Sequence, residues 1–182
     1  MTTMALTKQG DQGESVAQFV RRTMFSNVPD DTLKLVLTMC ERYGLDPLLK
    51  HVVVIEFENK RTGRKTYTPY ITRDGLLHVA HRSQQLDGMT ASYGKDEMVE
   101  FAEVTIHRKD MQHPFVYRVY RHEYDTGERA WRTHGISMTI KVGEVFCLRR
   151  AFDVAMPVLE EMDRVIDAGG GRVVEVDEFT EG

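Results

Sequence analysis

The order of patterns along this chain predicts an α+β domain: N-terminal helices, a central mainly antiparallel sheet with a short helix inserted, and a long C-terminal helix. Three observations carry the expectation. Apolar residues recur at helical spacing up to Gly44. Turn-bounded β-branched and aromatic runs then fill 51–124. From about Met138 the helical period returns.

Each element has its own signal. Ser15 and Gln18 form a capping box, and Val16, Phe19, Val20, Thr23 and Met24 share one helical face until Asn27 breaks it. Pro29, Asp30 and Asp31 open a second helix, whose stripe is Leu33, Val36, Leu37, Cys40 and Tyr43 and whose stop is Gly44. After Gly44-Leu45-Asp46-Pro47 the period becomes extended. His51 to Phe57 reads as a strand, 58–65 as a polar turn, and Thr66 to Ile71 as a returning strand that Pro69 assigns to a sheet edge. Asp74 is expected to cap a short helix carrying Leu76, Val79 and Ala80.

Leu86-Asp87-Gly88 turns the chain into extended runs near 89–94, 98–108 and 115–124. The switch of parity from Val99 and Phe101 to Val104 and Ile106 predicts a bulge in the second run. A turn covers 125–129, and Val145, Leu148, Phe152, Ala155, Met156 and Leu159 line the last helix, kinked or restarted at Pro157. The expected organisation is a flexible N-terminus (1–14), one folded unit (15–167), and a glycine-rich break with an acidic tail (168–182).

Length and composition bound the function. The chain has 182 residues, 41% hydrophobic and 29% charged, which suits one globular domain and excludes fibrous or wholly disordered classes. No apolar run is long enough for a membrane helix. Two distant cysteines, Cys40 and Cys147, support neither a disulfide framework nor a zinc knuckle, and fit a reducing, cytoplasmic compartment. The net charge of −4 is uneven: from Asp153 onward nine acids face two arginines, so the preceding body is mildly basic. That points to a polyanionic partner.

Phosphate-loop chemistry is absent, because Gly169-Gly170-Gly171 follows a helical pattern and no Gly-Lys-Ser/Thr triplet exists. His78 with His81, and His107 with Asp110 and His113, are the nearest approaches to a metal cluster, but each lacks a further ligand at a recognisable spacing. Cys147 lies in an apolar stripe and reads as core. Basic residues interleaved with aromatics are more informative. Lys60, Arg61, Arg64 and Lys65 crowd the first hairpin turn beside Tyr67 and Tyr70. Arg118, Arg121, Arg129 and Arg132 stand among Tyr117, Tyr120, Tyr124 and Trp131. Such patches suit phosphate contact with base stacking, and a solubilising hairpin tip is the bland alternative. Arg149 sits on the flank of the last stripe, about 40° from Val145, where it either reaches the sheet edge or pairs with a carboxylate such as Asp74. Arg73 and Arg150 complete the candidates taken from the residues themselves.

Six short motifs then occur in order: Glu41-Arg-Tyr-Gly-Leu-Asp-Pro47 with Lys50, Asp74-Gly75, Gln84-Gln-Leu-Asp-Gly-Met89, Arg108-Lys-Asp110 with His113-Pro114, Trp131 with His134, and Cys147-Leu-Arg-Arg-Ala-Phe152. The set resembles the phage-type single-strand annealing recombinases of the Bet (Redβ)/RecT family over about residues 15–155. The resemblance implies ATP-independent coating of single-stranded DNA and annealing of a complementary strand, by rings or helical filaments with a positive groove running across subunits. It implies DNA contact for Lys50 and Arg149. It also implies no catalytic residue, no cofactor and no metal. Where the Bet branch carries two more lysines this chain has Ile136 and Val142, with Lys141 displaced by one position. The chain has no match to the C-terminal domain through which larger members recruit partners, so docking of an exonuclease or a single-strand-binding protein does not carry over.

Two other readings stand beside this one. A metal-dependent nuclease would use the histidine groups, and a plain interaction module would use the acidic end. The acidic tail is expected either to compete with phosphate for the groove or simply to keep oligomers soluble.

Overall fold

The computed structural model describes residues 15–59, 61–159 and 171–173. Its elements are α1 (Val16–Met24), α2 (Asp30–Tyr43), a 3₁₀ turn (Pro47–Leu49), β1 (Val52–Glu58), β2 (Lys65–Ile71), α3 (Arg73–Arg82), β3 (Leu86–Asp96), β4 (Val99–Arg108), β5 (Phe115–Tyr120), α4 (Arg121–Tyr124), α5 (Arg129–Ala151) and β6 (Gly171–Val173). The architecture is α+β with a long C-terminal helix.

Local chemistry explains the first half. Ser15 Oγ accepts from the Gln18 N–H at 3.2 Å while the Ser15 N–H donates to Gln18 Oε1 at 2.8 Å, closing the capping box of α1. Gly44 ends α2 at φ 66°, where a residue without Cβ meets no penalty. Asp46 caps the 3₁₀ turn by accepting from the Leu48 N–H at 2.9 Å. Pro69 lies in β2, an edge strand as expected.

Two three-stranded sheets replace the single central one, in the orders β2-β1-β6 and β3-β4-β5, with antiparallel pairing throughout. The α5 helix covers one face of the second sheet. Gly143 permits the approach, because a Cβ there would stand 2.9 Å from Val104 Cγ2. One core joins α1, α2, the first sheet, α3 and the end of α5, around Val36, Val52, Val54, Ile71 and Leu148. A smaller one gathers Ala102, Val119, Trp131 and Val142.

Several expectations are corrected. The cap of α3 is Thr72, whose hydroxyl accepts from the Gly75 N–H at 3.2 Å; Asp74 lies in the first turn, where its charge faces the helix dipole. The bulge falls on β3 between Leu86 and Gly88, opposite Arg108 and His107, and β4 is regular. The parity change in β4 arises because both faces are used: Ala102, Val104 and Ile106 face α5, while Phe101 pairs with Tyr120. The third run stops at Tyr120 and turns helical.

The last helix starts at Arg129, well before Met138, and ends at Ala151 without reaching Pro157. Past it, Val154, Met156 and Val158 are buried with period two, in an extended segment whose Pro157 carbonyl accepts from the Ile71 N–H at 3.0 Å. Residues 171–173, assigned from sequence to the break and tail, pair with β1. The expected flexible N-terminus (1–14), the first two glycines of the break and the acidic residues after Val173 lie outside the described residues.

Candidate nucleic-acid interface

The Gly-Leu-Asp-Pro motif builds a rigid corner around Lys50. Lys50 takes φ 57° after the 3₁₀ turn. The Asp46 N–H donates to His51 Nδ1 at 3.1 Å, so this ring nitrogen is an acceptor. The His51 ring packs against His78 with centroids 4.6 Å apart. Burial first, and His78 second, lower the His51 pKa and favour the neutral ring. Thr72 locks the start of α3 onto this corner: its hydroxyl donates to the Lys50 carbonyl at 3.0 Å and its N–H to the His51 carbonyl at 3.0 Å. Gly75 is required there, because a Cβ would lie 2.5 Å from the His51 carbonyl oxygen.

This geometry holds the start of α3 against the Lys50 corner, and Arg73, the first residue of α3, reaches α5. Arg73 Nη1 pairs with Glu144 Oε2 at 3.1 Å, and its Nε lies 3.7 Å from Asp74. Lys141 is one turn before Glu144 on α5, the helix that Arg73 reaches. Lys141 and Arg149 are half-buried and both engaged in contacts. Asp74, the carboxylate suggested for Arg149, lies within ion-pair distance of Arg73. Arg150 leaves α5 on another side and lies 4.7 Å over the Tyr117 ring.

The hairpin cations are separate. β1 runs from the Lys50 corner to the hairpin in seven residues, a distance of about 20 Å. Arg61 and Arg64 are exposed at that tip. Lys65 is 3.0 Å from Glu56, a carboxylate only 9% exposed that also accepts from the Tyr67 hydroxyl at 2.9 Å. Hydrogen bonding to Glu56 raises the Lys65 pKa and keeps it charged. Lys60 lies outside the described residues.

Ion pairing therefore sorts the cations into two groups. Arg21, Lys34, Lys65, Arg73, Arg108, Arg118 and Arg121 each face a carboxylate. Of the sequence candidates, Lys50, Arg61, Arg64, Arg132 and Arg150 make no ion pair among the described residues. Arg129 of the second basic-aromatic patch belongs to the same group, as do Arg42, Arg82, Lys95 and Lys109, which the sequence reading missed. The guanidinium of Arg82 rests on Gly44, where a Cβ would meet Nη1 at 1.0 Å. Its signal in the sequence is the lack of an acid three or four residues away on α3.

The second basic-aromatic patch dissolves. Arg118 bonds to Asp96 and Glu103, and Arg121 to Glu100 and Asp125. Trp131 is 2% exposed, and Tyr117 and Tyr124 pack on Phe146. Tyr70 beside the first hairpin is buried too. Arg121 also donates to the Trp131 carbonyl at 3.2 Å beside the non-helical His134, which accounts for the kink in α5.

One member of each group weighed for metal chemistry has a structural partner. His78 meets His51, and Asp110 is held by Arg108 at 2.6 Å, which lowers its pKa. Arg108 further donates to the Ala151 carbonyl and lies over Phe152, tying two of the sequence motifs together at the end of α5. Among the described residues no group of three His, Cys, Asp or Glu side chains is placed to hold a metal ion. Burial pushes the thiols of Cys40 and Cys147 up to about 11, so both stay protonated at neutral pH. No described helix is long and apolar enough to cross a membrane.

No curated protein matches this chain. The model of the RecT family matches residues 12–170, a span that takes in all six motifs, the Lys50 corner and α5. The chain belongs to the RecT family, and its role is in DNA recombination by single-strand annealing.

Proposed function

We propose that this protein binds single-stranded DNA by its phosphates and anneals a complementary strand without ATP, acting as a homo-oligomer and performing no covalent chemistry. The observation that supports this best is the division of its cations. Seven are neutralised inside the domain, while Lys50, Arg61, Arg64, Arg132 and Arg150 are left to meet an external anion. Arg149 joins them through the family resemblance, and Lys141, one position away, stands in for the lysine that the Bet branch carries where this chain has Val142. Arg73 takes part by exchanging a carboxylate for a phosphate, while Lys65 stays paired with Glu56 at the base of the hairpin.

Contacts to phosphate hold a strand without reading its sequence and leave base edges open to the second strand. Watson–Crick pairing then supplies the specificity, and assembly multiplies weak contacts per subunit into stable coating. The test mixes labelled complementary oligonucleotides with the protein, without nucleotide and with a chelator, while assemblies are imaged. Annealing by rings or filaments is expected. An absolute ATP requirement, or shortened strands, overturns the proposal.

A further inference from the structure

Four of the six sequence motifs meet where α2, α3, β4 and α5 end. Gly44 closes α2, and the guanidinium of Arg82, the last residue of α3, lies in the space that a Cβ on Gly44 would fill. The glycine therefore serves a second purpose beyond its left-handed φ: it seats Arg82 against the backbone. β4 ends at Arg108, and the next residue, Lys109, donates its N–H to the Gln85 carbonyl at 2.9 Å, three residues past Arg82. The turn from Arg82 to Gln85 is fixed, since the Ser83 hydroxyl donates to the Ala80 carbonyl at 2.6 Å and accepts from the Gln85 N–H at 3.1 Å. Arg42 stands in the last turn of α2, two residues before Gly44.

These contacts join the ends that carry Arg42, Arg82 and Lys109. All three cations are exposed, and none makes an ion pair among the described residues. Asp110, the acid next to Lys109, is held by Arg108 at 2.6 Å. The end of α5 is bound into the same corner. Arg108 donates to the Ala151 carbonyl, two residues past Arg149, and the Ala155 N–H donates to the hydroxyl of Tyr43, between Arg42 and Gly44, at 3.2 Å. The cluster is distinct from the Lys50 corner, because α3 starts there, at Thr72, and runs ten residues to Arg82, a length of about 15 Å. A guanidinium already seated by packing loses less freedom on meeting a phosphate.

We propose that Arg82, with Lys109 and Arg42, forms a second phosphate site, one α3 length from Lys50, where the protein holds a further stretch of nucleic-acid backbone. The proposal rests on the DNA-binding reading above and gives the bound strand a course, from the Lys50 corner along α3 to the end of α5 that carries Arg149. A guanidinium at the C-terminus of α2 also suits the helix dipole. That role acts on stability, whereas a phosphate contact enters the salt dependence of binding.

Labelled oligo-dT is titrated across a salt series with the full chain carrying Arg82→Gln, Lys109→Gln, both together, or Lys34→Gln, a control on α2 whose lysine faces Asp31. Each lost contact flattens the log–log slope by about 0.7, so the double variant loses about 1.4, roughly 25-fold in affinity over one decade of salt. Arg82→Lys keeps the charge and is expected to keep the slope, and Lys34→Gln to leave it unchanged. An unchanged slope in the double variant, with a lowered melting temperature for Arg82→Gln, assigns Arg82 to the helix end and overturns the site. Equal flattening by Lys34→Gln and Arg82→Gln also overturns it, since net charge then explains the effect. Lys50→Ala in the same assay separates the two readings. If it flattens the slope and the double variant does not, the second site fails and DNA binding at Lys50 stands; if the wild type binds without salt dependence, both fail.

Discussion

Lys50→Ala and Lys65→Ala form the sharpest comparison, because two lysines of one sequence class have opposite surroundings. Lys50 is exposed with no carboxylate partner among the described residues, while Lys65 stands 3.0 Å from the nearly buried Glu56. Each phosphate contact to a single strand contributes about 0.7 to the log–log salt slope. Losing the Lys50 contact therefore flattens the slope by about 0.7. Over one decade of salt that amounts to roughly a fivefold loss of affinity at 0.1 M relative to 1 M. Lys65→Ala removes a cation already neutralised, so its slope is expected to stay near wild type. Its effect falls on the fold, since the nearly buried Glu56 loses its Lys65 ion pair. Fluorescence anisotropy of labelled oligo-dT across a salt series, with thermal melts of each variant, measures both. Equal flattening by the two variants would refute the sorting of cations by internal pairing.

Trp131 is the only tryptophan and is 2% exposed, so its fluorescence should be blue-shifted, poorly quenched by acrylamide, and unmoved by added DNA. Trp131→Ala is expected to destabilise the domain by about 3–5 kcal/mol in urea unfolding; a stable variant that loses only DNA binding would restore the stacking role suggested by sequence. For His51, burial lowers the folded-state pKa below the ordinary 6.5, so the unfolded chain binds the extra proton first. The stability it contributes is present above pH 6.5 and lost as the pH falls through the lowered folded value. Urea midpoints of wild type should drop over that window more than those of His51→Gln, and parallel curves would count against the neutral Nδ1 acceptor.

The sequence by itself determined what near neighbours decide. The capping box at Ser15, the left-handed stop at Gly44, the edge position of Pro69 and the two periods that separate helix from strand all rest on residues within a few positions of one another. The motif order also determined the family. Tertiary structure decided the rest, because the choice lay between partners distant in sequence. Val154, Met156 and Val158 satisfy a strand period, while Met156 also continues the stripe of α5; only β2, through Ile71, settled the segment as extended. Arg73 and Arg132 look alike as letters, yet a glutamate 71 residues away neutralises the first and no described carboxylate reaches the second. Trp131 and Tyr117 look like bases' stacking partners until α5 folds over the second sheet and buries them against Val119 and Phe146. Charge and aromaticity belong to the residue, but whether they face solvent or a partner belongs to the fold. The Lys50 corner shows both halves: its turn is written in Gly-Leu-Asp-Pro, and its rigidity comes from Thr72 and Gly75, which only the packing of α3 brings within reach.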